Sequence, residues 1–187
     1  MHRVYIALLH YPVYNKNLEV ITTSITNLDL HDISRTARTY GARRFFIVHP
    51  LASQRRLIQE MMEYWREGFG ASYNPDRKEA MDLVELAEGM DEVLLKVKER
   101  EGRDPLTVAT DARTYPNTVG YRELKEKIKT LDRPFLILFG TGWGLTQDFI
   151  RSCDFILEPI QPNSDYNHLS VRSAVAIILD RLLGEMF

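Results

Sequence analysis

The chain has 187 residues, 44% hydrophobic and 27% charged, with a formal net charge of -2. It is long enough to bury one sizeable core, and too balanced in charge to be a disordered polyelectrolyte. No apolar run approaches the roughly eighteen residues of a membrane span, and MHRVYIALL is cut short by His10, Tyr11 and Pro12, so neither a span nor a signal peptide is expected.

A cytoplasmic protein is therefore expected. Its single cysteine, Cys153, cannot form an intrachain disulfide and reads as a small packing residue.

Val4 to Leu9, VYIALL, reads as a buried strand that stops at a proline turn. Thr26 and Asn27 mark a helix start, since Leu30, Ile33, Ala37 and Tyr40 follow at helical spacing and Gly41 ends the run. Phe45 to Val48 is a second buried strand, closed by His49 and Pro50. A helix from about Ser53 to Glu67 follows, with Leu57, Ile58, Met61, Met62 and Trp65 on its apolar face. Gly68 to Asp76, containing Gly70, Asn74 and Pro75, reads as a loop in which Phe69 and Tyr73 are anchors or solvent-facing rings.

Met81 to Ala87 reads as a short strand, Asp91 to Glu101 as a helix ending at Gly102, and Leu106 to Ala109 as another strand. Tyr121 to Leu131 has helical charge pairing, with Glu123 four residues before Lys127. Phe135 to Phe139 is an apolar strand that breaks at Gly140, Gly142 and Gly144. Phe155 to Leu157 ends at Glu158 and Pro159, and a polar loop through Pro162, Asn163, Ser164 and Asp165 leads to a long helix near His168. Strands alternating with helices predict one α/β domain over residues 1–187, with a mostly parallel sheet and helices on both faces. Two of its strands then end in loops at one sheet edge, where such folds bind small ligands.

Charge is unevenly spread. Between Ile33 and Gln59 stand Arg35, Arg38, Arg43, Arg44, Arg55 and Arg56 with no acidic residue, a pattern that attracts phosphates if the side chains share a surface. FGTGWGL has the spacing GxGxG rather than the GxGxxG of dinucleotide folds, and it lacks a P-loop lysine. Its glycines permit close backbone approach to a ligand.

Three segments together resemble the motifs of the SPOUT class of knotted methyltransferases, closest to its SpoU or TrmH branch. TNLDLHDISRTARTYGARRFFIVHP, Thr26 to Pro50, is similar to the first; LILFGTGWGL, Leu136 to Leu145, to the second; LEPIQPNSDYNHLSVRSAVAII, Leu157 to Ile178, to the third. The resemblance extends to a small bacterial group of RNA methyltransferases within that class. It implies a C-terminal trefoil knot, bent S-adenosyl-L-methionine between the knot loops, a homodimer, an RNA substrate (tRNA or rRNA), and no metal.

By motif position, the cofactor residues would be Thr110, Gly140, Thr141, Gly142, Trp143, Gly144, Leu145, Glu158, Ile160, Leu169 and Val171. Arg35 is the matching catalytic arginine, able to bind a phosphate or stabilise a ribose oxyanion. Asn27 would cap its helix, while His168 would act as a base or cap the last helix. Arg38, Arg43 and Arg44 are the expected RNA contacts. Gly142 and Trp143 stand where the branch has a Glu, and Tyr166 and His168 where it has serine and asparagine. These departures leave both a ribose hydroxyl and a base nitrogen open as acceptors, with a non-catalytic RNA-binding module as the alternative.

Overall fold

The computed structural model describes residues 2–185. Six strands, β1 (Val4–Leu9), β4 (Phe45–Val48), β5 (Val84–Ala87), β6 (Leu106–Ala109), β7 (Phe135–Gly140) and β8 (Phe155–Ile156), form one sheet. Its order is β5-β4-β1-β7-β6-β8, and every neighbouring pair is parallel. A separate antiparallel hairpin, β2 (Val13–Tyr14) and β3 (Val20–Ile21), lies above the end of β1.

The strands are continuous apolar runs because both faces of the sheet are covered. Alternation along β1 divides it cleanly: Val4, Ile6 and Leu8 enter one core cluster, and Tyr5, Ala7 and Leu9 the other. The first face carries α1 (Asn27–Thr39), α2 (Ala52–Arg66), α6 (Tyr121–Thr130) and α8 (Val171–Leu183); the second carries α5 (Met90–Glu101) and α7 (Gln147–Arg151).

Local chemistry sets the helix ends. Thr26 accepts a hydrogen bond from the Asp29 amide and so caps α1, while Asn27 is its exposed first residue. The cap expected of Asn27 thus belongs to its neighbour. Ser170 likewise caps α8 through the Ser173 amide at 3.3 Å, so the helix begins at Val171 and His168 stays outside it. The stretch expected as a loop from Gly68 to Asp76 contains α3 (Phe69–Tyr73) and the start of α4 (Pro75–Met81), where Asn74 is the cap and Pro75 the first helical residue. Met81 accordingly closes a helix rather than opening a strand.

β8 is held on both edges. The Leu157 amide donates to the Ala109 carbonyl at 2.9 Å, while the Val119 amide donates to Ile156 at 2.8 Å and Glu158 donates back to Val119 at 3.0 Å. Ala109 and Val119 are the two ends of one loop, and the C-terminal chain runs between them.

Candidate active site

In this strand order β1 and β7 are neighbours although β4, β5 and β6 intervene in the chain, which makes their boundary the topological switch point. A cleft of about 740 Å³ opens at the carboxyl ends of the strands there, bounded by the loops after β6, β7 and β8, the hairpin tip at Leu18, and the starts of α1 and α8.

The glycine loop after β7 is shaped by contacts a side chain would disturb. Gly142 has φ +60, and a Cβ there would meet the Tyr14 carbonyl at 2.9 Å; Gly144 has φ +90, and a Cβ there would crowd Asp111 and Arg113 at 3.3 and 3.2 Å. The β2–β3 hairpin clamps this loop, because Tyr14 N–H donates to Gly144 at 2.9 Å, Trp143 N–H to Tyr14 at 2.9 Å, and Thr146 N–H to Pro12 at 3.2 Å.

One end of the cleft is apolar, with Phe139, Ile160, Leu169, Val171, Ala174 and Ile178. The remaining wall is rich in oxygen. Asp29, Asp111 and Glu158 line it against a single arginine, Arg113. That arginine is already committed: its Nε donates to both Asp111 oxygens at 3.0 and 3.1 Å and its Nη2 to the Leu145 carbonyl at 2.6 Å. Hydrogen bonding to Asp111 raises the Arg113 pKa above the usual arginine value. Glu158 accepts from the Tyr121 amide at 3.2 Å, placing a carboxylate at the positive end of α6. Even with Arg172 3.8 Å from Asp29, carboxylates outnumber arginines around the cleft, which therefore suits a cationic ligand better than a phosphate.

At the switch point itself, Thr23 and Thr141 line the cleft and their hydroxyls contact one another. Behind them lie His10 and His49, each 0% exposed, with ring centroids 5.1 Å apart. His10 Nδ1 is 3.1 Å from Thr23 Oγ1, and His49 Nε2 donates to the Thr23 carbonyl at 2.9 Å while its Nδ1 accepts from the Leu51 amide. Burial, and to a lesser extent the facing His49, lowers the His10 pKa to about 4.

Of the residues nominated from sequence, Thr110, Gly140, Thr141, Gly142, Trp143, Gly144, Glu158, Ile160, Leu169, Val171 and His168 all border this cleft. Leu145 does not. It is fully buried in the second core cluster, beneath the loop, because the backbone turns it inward against Gly140. Arg35 is exposed on α1 and lines a second groove between α1 and α8 with Leu28, Tyr40 and Arg172; Ser170 borders both openings. Asn27 borders neither among the residues lining them.

The arginine block does not form a free basic surface. Arg38 pairs with Glu79, Arg43 approaches Glu101 at 3.7 Å, Arg44 bonds Glu85 at 2.8 Å, and Arg55 bonds Glu88 at 3.2 Å. Arg43 and Arg44 precede β4 and so lie at the amino edge of the sheet, opposite the cleft. The residues missed from sequence are His10, Thr23, Asp29, Asp111 and Arg113. A usable signal was present in three of them: His10 directly follows β1, and Asp111 and Arg113 follow β6, positions at carboxyl strand ends.

A family model described as SAM-dependent RNA methyltransferase matches residues 3–184. A protein of Aquifex aeolicus is 52% identical over 181 residues, covering 97% of this chain and 88% of that one. A protein of Oleidesulfovibrio alaskensis named tRNA (guanine-N(1)-)-methyltransferase is 42% identical over 182 residues; the match covers 97% of this chain but spans only 42% of that protein's length. The solved TrmH/SpoU tRNA modifying enzyme of A. aeolicus superposes with a TM-score of 0.58 at 16% identity, over 98% of this chain and 75% of the other, a likeness of fold.

Proposed function

The chain belongs to the SAM-dependent RNA methyltransferases, of the SPOUT class, and from that premise we propose that its methyl donor lies in the switch-point cleft and that its acceptor is tRNA. One observation carries the reading: an electronegative cleft, apolar at one end and floored by exposed glycine backbone, sits where three parallel strands end. A flat adenine suits the apolar end, and a sulfonium suits walls with three carboxylates and one spoken-for arginine. S-adenosylmethionine supplies an activated methyl group on positively charged sulfur.

Thr110, Gly140, Thr141, Gly142, Gly144, Glu158, Ile160, Leu169 and Val171 would hold that donor. Trp143, 60% exposed at the rim, would meet the incoming nucleotide as well as the donor. Arg35 would bind a phosphate beside the target, since its groove adjoins the cleft at Ser170. His168, at the cleft mouth, would take the acceptor proton. Acceptor alignment then supplies most of the rate, because the leaving group is already activated. No metal is called on.

The tRNA assignment is supported by the name of the Oleidesulfovibrio relative. The guanine N1 position is not carried over, since that activity belongs to a polypeptide of which this chain spans less than half. We also propose a single domain, a trefoil knot made where the C-terminal chain passes between Ala109 and Val119, and a homodimer through α1 and α8, whose groove carries the exposed Leu28.

Isothermal titration with S-adenosylmethionine, followed by tritiated methyl transfer to tRNA from cells lacking the protein, tests the proposal. Micromolar binding and label in one nucleoside are expected. Absence of donor binding would overturn the cleft assignment, and label confined to rRNA would overturn the choice of acceptor.

A further inference from the structure

We propose that Thr23 and Thr141 form a paired hydrogen-bond acceptor for the α-ammonium of the methyl donor, held in that polarity by the buried His10 and His49 rings. The inference rests on the donor occupying the cleft, and adds which part of it this corner recognises.

The polarity follows from counting protons. Thr141 Oγ1 lies 3.2 Å from the Leu9 carbonyl, which can only accept, so the Thr141 hydroxyl donates there. Its contact with Thr23 must then be made by the Thr23 proton. Thr23 has no second proton for His10 Nδ1 at 3.1 Å, so that nitrogen carries the hydrogen and donates to Thr23. The chain runs one way: His10 to Thr23 to Thr141 to Leu9.

The reverse order would press two acceptors together at Leu9 and bury the N–H of His10 Nε2, an atom with no partner among the described residues. An orphaned buried N–H is rarer and costlier than an unused acceptor lone pair. The one-way chain leaves that nitrogen as the bare acceptor.

Every hydrogen in the chain therefore points into the protein. Each hydroxyl oxygen retains one lone pair, and both residues line the cleft. Such a corner receives N–H donors and repels carboxylates and phosphates. An ammonium, with three donors and a positive charge, is the part of the methyl donor that fits, and Asp29 also lines the cleft.

The histidines serve to hold the corner still. Thr23 is gripped at its amide by the His10 carbonyl (3.0 Å), at its carbonyl by His49 Nε2 (2.9 Å) and at its hydroxyl by His10 Nδ1. His49 is in turn fixed as the Nε2–H tautomer by the Leu51 amide at 3.2 Å. Neither ring lines the cleft, so both are positioning residues.

The test titrates S-adenosylhomocysteine, which keeps the ammonium, and methylthioadenosine, which lacks the amino-acid end, into the whole chain and its variants. Thr23→Val and Thr141→Val should each weaken S-adenosylhomocysteine by about ten- to a hundredfold and leave methylthioadenosine within about twofold. Thr141→Ser should restore binding. His10→Phe, which removes the donor to Thr23, should show the same split and be non-additive with Thr23→Val.

Equal weakening of both ligands by these variants, or no weakening of either, would overturn the inference. Failure of the unmodified chain to bind either ligand would instead overturn the donor assignment on which it rests. Thr141→Ser retains the chain's hydrogen bonds, so a binding defect in that variant would also count against the proposal.

Discussion

The imidazole rings of His10 and His49 face each other at the ends of adjacent strands, 5.1 Å apart between centroids and tilted by 27°. Burial holds His10 down to about 4 and lowers His49 as well. His2 and His31 are shifted in the same direction, again chiefly by burial. Unfolded, these rings titrate near 6.5, so between there and about 4 the unfolded chain binds more protons than the native one. Native stability is therefore expected to be full above about pH 6.5 and to fall as pH drops toward 4, with His10 alone accounting for a loss of about 3 kcal/mol. Urea midpoints measured between about pH 7 and about pH 4.5 check this; His10→Asn, which keeps a donor near Thr23, should flatten the slope.

Gly144→Ala should affect both stability and binding. Its φ of +90 is unfavourable for alanine, and the new methyl would crowd the Asp111–Arg113 pair at 3.2 to 3.3 Å. We expect about 1–2 kcal/mol of destabilisation and weaker S-adenosylmethionine binding beyond that expected from the unfolded fraction. Thermal denaturation and titration calorimetry on one sample separate the two, and an unchanged affinity would detach this loop from the donor site.

Arg35→Ala is expected to lower kcat/KM for RNA by about tenfold or more while leaving donor affinity unchanged, since its groove lies beside the cleft and not within it. Arg43→Ala and Arg44→Ala should change RNA methylation by less than about twofold, because both sit at the opposite sheet edge and face acids. Steady-state methylation under varied RNA and varied donor distinguishes these cases.

Leu145→Ala should behave as a core truncation. The side chain is 0% exposed and packs with Val13 and Ile150 in the second cluster, so a loss of about 3 kcal/mol is expected. Chemical denaturation measures it directly. A loss of donor affinity with full stability would return Leu145 to the cleft.

Much of this was readable in advance because its signals are local. The strands carry continuous apolar runs, and Thr26, Gly41 and Gly102 punctuate helices with cap chemistry visible over a few residues. The arginine block misled for the opposite reason. Four of its six charges, those of Arg38, Arg43, Arg44 and Arg55, are answered by Glu79, Glu101, Glu85 and Glu88, which reach them only through helix packing and strand pairing. The β2–β3 hairpin has strands of two residues, too short for any periodicity to register, yet it clamps the glycine loop. Leu145 illustrates a third limit: a motif places a residue in a loop, but only backbone geometry determines whether it faces ligand or core. Thr23 was similarly hidden, since a lone threonine carries no chemistry until the fold brings His10 and Thr141 beside it.

The pairing of Val4 with Phe135 and of Leu9 with Gly140 has a consequence for biosynthesis. β1 is synthesised well before β7 yet pairs with it at the centre of the finished sheet, so one of its edges stays bare until Phe135 to Gly140 has been made. A nascent chain paused before Phe135 would expose that sticky edge, making it a natural client for ribosome-bound chaperones and vulnerable to aggregation when translation stalls late.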